Sequence, residues 1–140
     1  MRSVLVGIVL LAAAAQGEQT PSHPSGRYLS ALGVANGFLA AWAGRNAEVG
    51  IAIMSQRLRK ASDEQWLREY MSGLSNPHHQ SFEIGRGKEV RSGRFAFPVT
   101  LYEAYHGESK GWGYASTIEV VRDGETWRVD RLPRTSDNSE

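Results

Sequence analysis

Residues 120–132 read VVRDGETWRVDRL, two apolar-alternating runs around Asp123-Gly124. An Asp-Gly pair between alternating runs is a strong two-residue hairpin signal, because glycine takes positive φ without steric cost. With Asp123-Gly124 at the tip, Val120 is expected opposite Trp127, Ile118 opposite Val129, and Glu119 opposite Arg128. Working back, Tyr114, Ser116, Ile118 and Val120 alternate along one strand, and Phe95, Phe97, Val99 and Leu101 along another. Folding these two about the loop 106–111 pairs Tyr105 with Trp112, Glu103 with Tyr114, Val99 with Ile118, and Phe97 with Val120. Phe82 and Ile84 mark an earlier strand. Pro98 cannot donate to a ladder, so an edge or a bulge is expected there. Gly85-x-Gly87 opens no helix and reads as a twist in the first strand.

Upstream of residue 80 the apolar period is helical. Tyr28, Leu32, Ala35, Leu39 and Trp42, with Phe38 beside them, form one stripe that stops at Gly44. Val49, Ile53 and Leu58 carry a shorter helix. Ser62-Asp63-Glu64-Gln65 reads as a capping box for a third helix, with Trp66, Tyr70 and Leu74 along its buried face and Asn76-Pro77 ending it. Three helices followed by a meandering sheet of about four antiparallel strands give an α+β fold. The four tryptophans, Trp42, Trp66, Trp112 and Trp127, are read as core.

The chain begins differently. Arg2 precedes an uncharged apolar run of 12 residues, Val4 to Ala15, short of the roughly 20 needed to span a bilayer. Small residues at Ala13, Ala15 and Gly17 suit signal peptidase. Residues 1–17 are therefore expected to be a cleaved signal peptide, 18–26 a linker, 27–133 the domain and 134–140 a disordered polar tail. With no cysteine in the chain, lipoprotein anchoring is excluded, as are zinc–cysteine modules, disulfide scaffolds and a catalytic thiol. The expected compartment is periplasmic or extracellular, with no membrane anchor. The 140 residues carry 16 Lys+Arg against 15 Asp+Glu, and losing Arg2 balances them. Nucleic-acid binding would need a clustered basic excess, so no nucleic-acid partner is expected.

The FLAAWAGRN helix end (38–46), the SDEQWLREY helix (62–70) and the VVRDGETWRVDRL hairpin resemble the nuclear-transport-factor-2-like, cystatin-like superfamily over roughly residues 27–132. The resemblance implies a cone-shaped fold, a curved sheet wrapped on helices with a pocket between them. It implies no single activity, since such folds serve as isomerase-like and dehydratase-like enzymes, adaptors and dimerisation modules.

Chemistry must then come from particular residues. The four histidines, His23, His78, His79 and His106, lack metal-ligand spacing. They read as solvated loop residues, and neither a metal nor a cofactor is expected. The stretch Arg86, Lys88, Arg91 and Arg94 reads as a charged hairpin tip or edge strand. Asp130 and Thr117 fall on the outer face with no role. Glu103 breaks its pattern, continuing the inward parity of Phe95 to Leu101. Tyr105, Trp112, Tyr114 and Ser116 are expected around it. In an apolar cone a desolvated carboxylate resembles the general base of the isomerase-like members, with a tyrosine for the developing oxyanion. The same position is also the cone's mouth, and the plain expectation there is a solvated carboxylate. The leading reading is an exported, non-enzymatic binding or interaction domain with an apolar ligand or partner segment in its cone. The alternatives are a cofactor-free lyase or isomerase acting through Glu103, and a homodimer formed through the outer sheet face.

Overall fold

A computed structural model describes residues 23–73, 78–104 and 111–135. Four helices precede five strands. They are α1 (Gly26–Ala43), α2 (Ala47–Ala52), α3 (Gln56–Ala61), α4 (Glu64–Ser72), β1 (His78–Ile84), β2 (Lys88–Arg91), β3 (Arg94–Ala104), β4 (Trp112–Asp123) and β5 (Thr126–Arg131). The antiparallel sheet runs β1-β3-β4-β5, with β2 also pairing β3 beyond the end of β1. The α+β order expected from the sequence holds, with one more helix and one more strand. No helix among the described residues is long and apolar enough to cross a membrane.

Each helix start follows from a side-chain cap. Ser25, Asn46, Ser55 and Asp63 accept from Tyr28, Val49, Leu58 and Trp66 backbone N–H groups respectively. The stretch expected as one second helix is split at 53–55. There the chain lies parallel beside β5, the Val129 N–H donating to Ile53 O (2.9 Å) and the Ser55 N–H to Val129 O (2.7 Å). The third expected helix, α4, is capped by Asp63 rather than Ser62, and its buried residues are Leu67, Tyr70 and Met71. Trp66, expected in the core, is instead 38% exposed.

Both hairpin registers differ from expectation by two residues. Asp123 pairs with Thr126, so the turn is Gly124-Glu125, with Gly124 at φ 65° and Glu125 on the ordinary side. This is the pattern of a II′ turn. Val120 therefore faces Val129, and Trp127 faces Arg122, whose guanidinium lies 5.8 Å from the indole centroid. Glu119 and Arg128 are not partners. Arg128 donates to Ala52 O, while Glu119 pairs with Arg94 (3.6 Å) and Arg131 (3.5 Å). On the other side Glu103 faces Trp112, Leu101 faces Tyr114, Val99 faces Ser116, and Phe97 faces Ile118. An even slip keeps every side chain on its face, so the apolar pairing test is blind to it.

Pro98 sits mid-strand at a gap. Its carbonyl accepts from Gly85 on the β1 side, so its missing N–H points the same way. There β1 has ended at Ile84 and β2 begins at Lys88, and Gly85 to Gly87 cross between them. No ladder donor is required of Pro98. The core lies between α1, α4 and the concave face. Phe38, Leu39, Trp42, Met71, Phe97, Leu101, Ile118, Val120 and Val129 are all fully buried in it.

Candidate functional site

Glu103 is 1% exposed. The expectation of a solvated carboxylate at the cone's mouth is overturned, because β3 keeps its inward parity through Glu103 and Tyr70 of α4 lies near enough to feel its charge. Its register neighbours are His79 on β1 and Trp112 on β4. His79 is buried too, against the reading of solvated histidines. Its ring stacks on Trp42 at 3.8 Å between centroids and 17° between planes, and Nδ1 lies 2.8 Å from Trp42 O. A carbonyl only accepts, so Nδ1 carries the proton in this bond. Tyr70 donates its hydroxyl to Pro133 O at 2.6 Å.

Burial raises the Tyr70 phenol well above its ordinary value, and the negative charge of Glu103 raises it further. The phenol is protonated in both states below pH 10.0, the unperturbed value. Above it the unfolded chain ionises first, so Tyr70 makes stability fall as pH rises. In an alkaline titration followed by phenolate absorbance, one tyrosine is expected to ionise only as the fold is lost. Tyr70→Phe should remove that last phase.

Of the remaining expected site residues, Trp112, Tyr114 and Ser116 share the concave face with Glu103, and Tyr105 lies outside the described residues. Ser116 is engaged structurally, its Oγ accepting from the Arg134 N–H at 2.8 Å. With the Tyr70–Pro133 bond, this ties residues 132–135 between α4 and β4, and Pro133 and Thr135 are buried. The C-terminal segment thus fills part of the space that an open cone would leave.

The second polar centre was not anticipated. Asp130 on β5 is 3% exposed. Ser55 Oγ donates to its Oδ1 at 2.5 Å, Arg57 Nε to the same oxygen at 2.9 Å, and Arg94 to Oδ2. Arg57 also bonds the Asp130 carbonyl. Burial pushes the Asp130 carboxyl up, but hydrogen bonds from Arg57, Ser55 and Arg94 and the Arg57 charge outweigh it and hold the carboxyl below its usual range. Nothing in strand alternation marks Asp130, because its cover comes from 53–57, a segment read as continuous helix.

Beside this clasp opens a cavity of about 530 Å³ with Arg57, Arg91, Arg94, Arg131, Glu119 and Asp130 among its walls. Leu58, Trp66 and Leu132 supply apolar surface. A second cavity, about 630 Å³, lies between the start of α1 and β2, bounded by Tyr28, Phe95, Arg86 and Lys88. Glu103 lines neither. Among the described residues no group of three or more histidines and carboxylates is placed to hold a metal ion.

No protein-family model matches this sequence, and no curated protein matches it. Solved structures do. A domain of unknown function with a cystatin-like fold from Nostoc punctiforme superposes with a TM-score of 0.59 at 14% identity, over 76% of this chain and 75% of that one. The fold is cystatin-like. A proposed scytalone dehydratase from Novosphingobium aromaticivorans gives 0.55 at 10% identity, covering 76% of this chain and 83% of its own. A proposed calcium/calmodulin-dependent protein kinase type II association domain from Thiobacillus denitrificans gives 0.56 at 13% identity, covering 73% and 93%. Structural neighbours with such different descriptions place the scaffold and leave the activity to this chain's own residues.

Proposed function

We propose that this chain is an exported, non-catalytic binding domain built on a cystatin-like scaffold, its cone serving as a packed core. The observation that carries this is the commitment of two of the cone's acid–base groups, His79 and Tyr70, to the backbone. His79 is held on the Trp42 carbonyl and Tyr70 on the Pro133 carbonyl, around a wall of fully buried apolar side chains. A catalyst needs its base within hydrogen-bond reach of a substrate proton. Here those groups act as ties between α1 and β1 and between α4 and the C-terminal segment. The apolar leader with its small-residue cleavage sites supports export.

Burial of Glu103 favours a second reading, a cofactor-free lyase or isomerase with this carboxylate as base. One preparation separates the two. Protein recovered from the extracytoplasmic fraction should have the intact mass of a chain cut near Ala15 or Gly17. Mixed with 5-nitrobenzisoxazole, whose ring opens on a single proton abstraction, it should react no faster than its Glu103→Gln variant. Ring opening by the natural chain that disappears in Glu103→Gln would establish the second reading; a full-length leader on the recovered protein would refute cleavage, and absence of the chain from that fraction would refute export.

A further inference from the structure

The cavity beside Asp130 has the composition of a built anion site. Four arginines face two carboxylates across it, an excess of two positive charges in a chain that is otherwise nearly balanced. The two carboxylates are spent on positioning. Asp130, itself buried, fixes Arg57 and Arg94, and Glu119 pairs with Arg94 and Arg131. They do not saturate what they hold, since Arg94 Nε is buried without a hydrogen-bond partner. Arg91 forms no ion pair among the described residues and lies exposed on β2 at the cavity's rim. A guanidinium already oriented by its strand and left without a carboxylate is a ready partner for one from outside.

The opposite wall is apolar. Trp66, which lies off the buried stripe of α4, presents its indole to the cavity with Leu58 and Leu132 beside it. An exposed tryptophan next to guanidinium groups suits a flat apolar body better than a bare inorganic ion.

We infer that this cavity binds a small amphipathic carboxylate, its anionic head on Arg91 and the rim arginines and its apolar body against Trp66. The inference rests on the binding-domain reading and adds to it a place and a ligand class. Arg57 and Arg131 are mostly exposed and already paired, so they add long-range attraction. Arg91 supplies the direct contact.

The probe is 2-naphthoate, with 2-naphthamide as its neutral twin, titrated into the full mature chain by calorimetry and by amide and indole NMR. Naphthoate is expected to shift the Trp66 indole resonance and the Arg91 signals. It should bind at least about tenfold more tightly than the amide, because only the acid can make the charged bidentate contact. Its affinity should fall severalfold between about 50 and 300 mM salt. Arg91→Ala and Trp66→Ala change exposed side chains that the core does not use, and each should weaken binding about tenfold. Equal binding of acid and amide, or binding that survives both substitutions, overturns the inference. Shifts confined to Tyr28 and Phe95 at the second cavity overturn it too, yet leave the chain a binding domain. Reaction at Glu103, read by the benzisoxazole assay, is a separate outcome that overturns only the non-catalytic reading.

Discussion

Asp130→Ala is expected to destabilise the fold by about 3–5 kcal/mol, the range for removing one partner of a buried charge pair. The loss is concentrated on Arg94, which is 14% exposed and would keep only Glu119, and on the buried Ser55 hydroxyl. Arg57 is 63% exposed, and water screens its share, so Arg57→Ala should cost no more than about 1 kcal/mol. The pH dependence has a definite sign. The carboxyl of Asp130 is held below its unperturbed 3.8, so its contribution is complete above that pH and disappears as pH falls through the folded-state value. Urea unfolding measured from neutral pH down to about pH 3 should show natural-chain stability falling steeply at the acid end. The Asp130→Asn curve should be lower and flatter there. A cost below about 1 kcal/mol for Asp130→Ala, or parallel acid limbs, would show that the clasp does not stabilise the domain.

Trp42→Ala should cost a similar amount, about 3–5 kcal/mol, by leaving a cavity in the core. The indole is fully buried on α1 and forms one face of the stack that holds His79. Its loss therefore loosens the contact between α1 and β1 as well as removing apolar surface. Trp42→Phe should cost distinctly less. Phenylalanine keeps most of the ring and removes Trp42 Nε1, a buried donor with no hydrogen-bond partner. Denaturant midpoints for the two variants decide the matter. Equal losses would mean that the Nε1 group is satisfied in solution and that volume alone does not govern the site.

The fold was legible because its two periodicities change once, near residue 80, and because Gly44 and Asp123-Gly124 punctuate them. What could not be read is equally physical. The two-residue slips in both hairpins preserve side-chain parity, so no count of apolar pairs detects them. The split between α2 and α3 arises because Ile53 to Ser55 satisfy the edge of β5, a contact 75 residues away along the chain from Ser55 to Asp130. Helical spacing carries no trace of that. The inward parity of Glu103 is legible in the sequence, while the approach of Tyr70 on α4, whose phenol feels its charge, is not. Asp130 and His79 were passed over for the same reason, since each is buried by a distant element. Spacing alone puts Trp66 in the core, whereas α4 buries the stripe of Leu67, Tyr70 and Met71 and leaves the indole at the surface.

The short parallel run at 53–55 has a further consequence for how the molecule fails. β5 ends the sheet, and an uncovered terminal strand is a template for pairing with another chain. Here Ile53 and Ser55 occupy the backbone N–H and C=O of Val129 in the middle of β5, and Ser55 is fastened by its hydroxyl to the Asp130 carboxylate. Protonating that carboxylate loosens the fastening before the core is challenged. Acidification below the unperturbed carboxyl value of 3.8 should therefore bare a strand edge, so that such solutions polymerise edge to edge at protein concentrations where neutral ones stay dispersed.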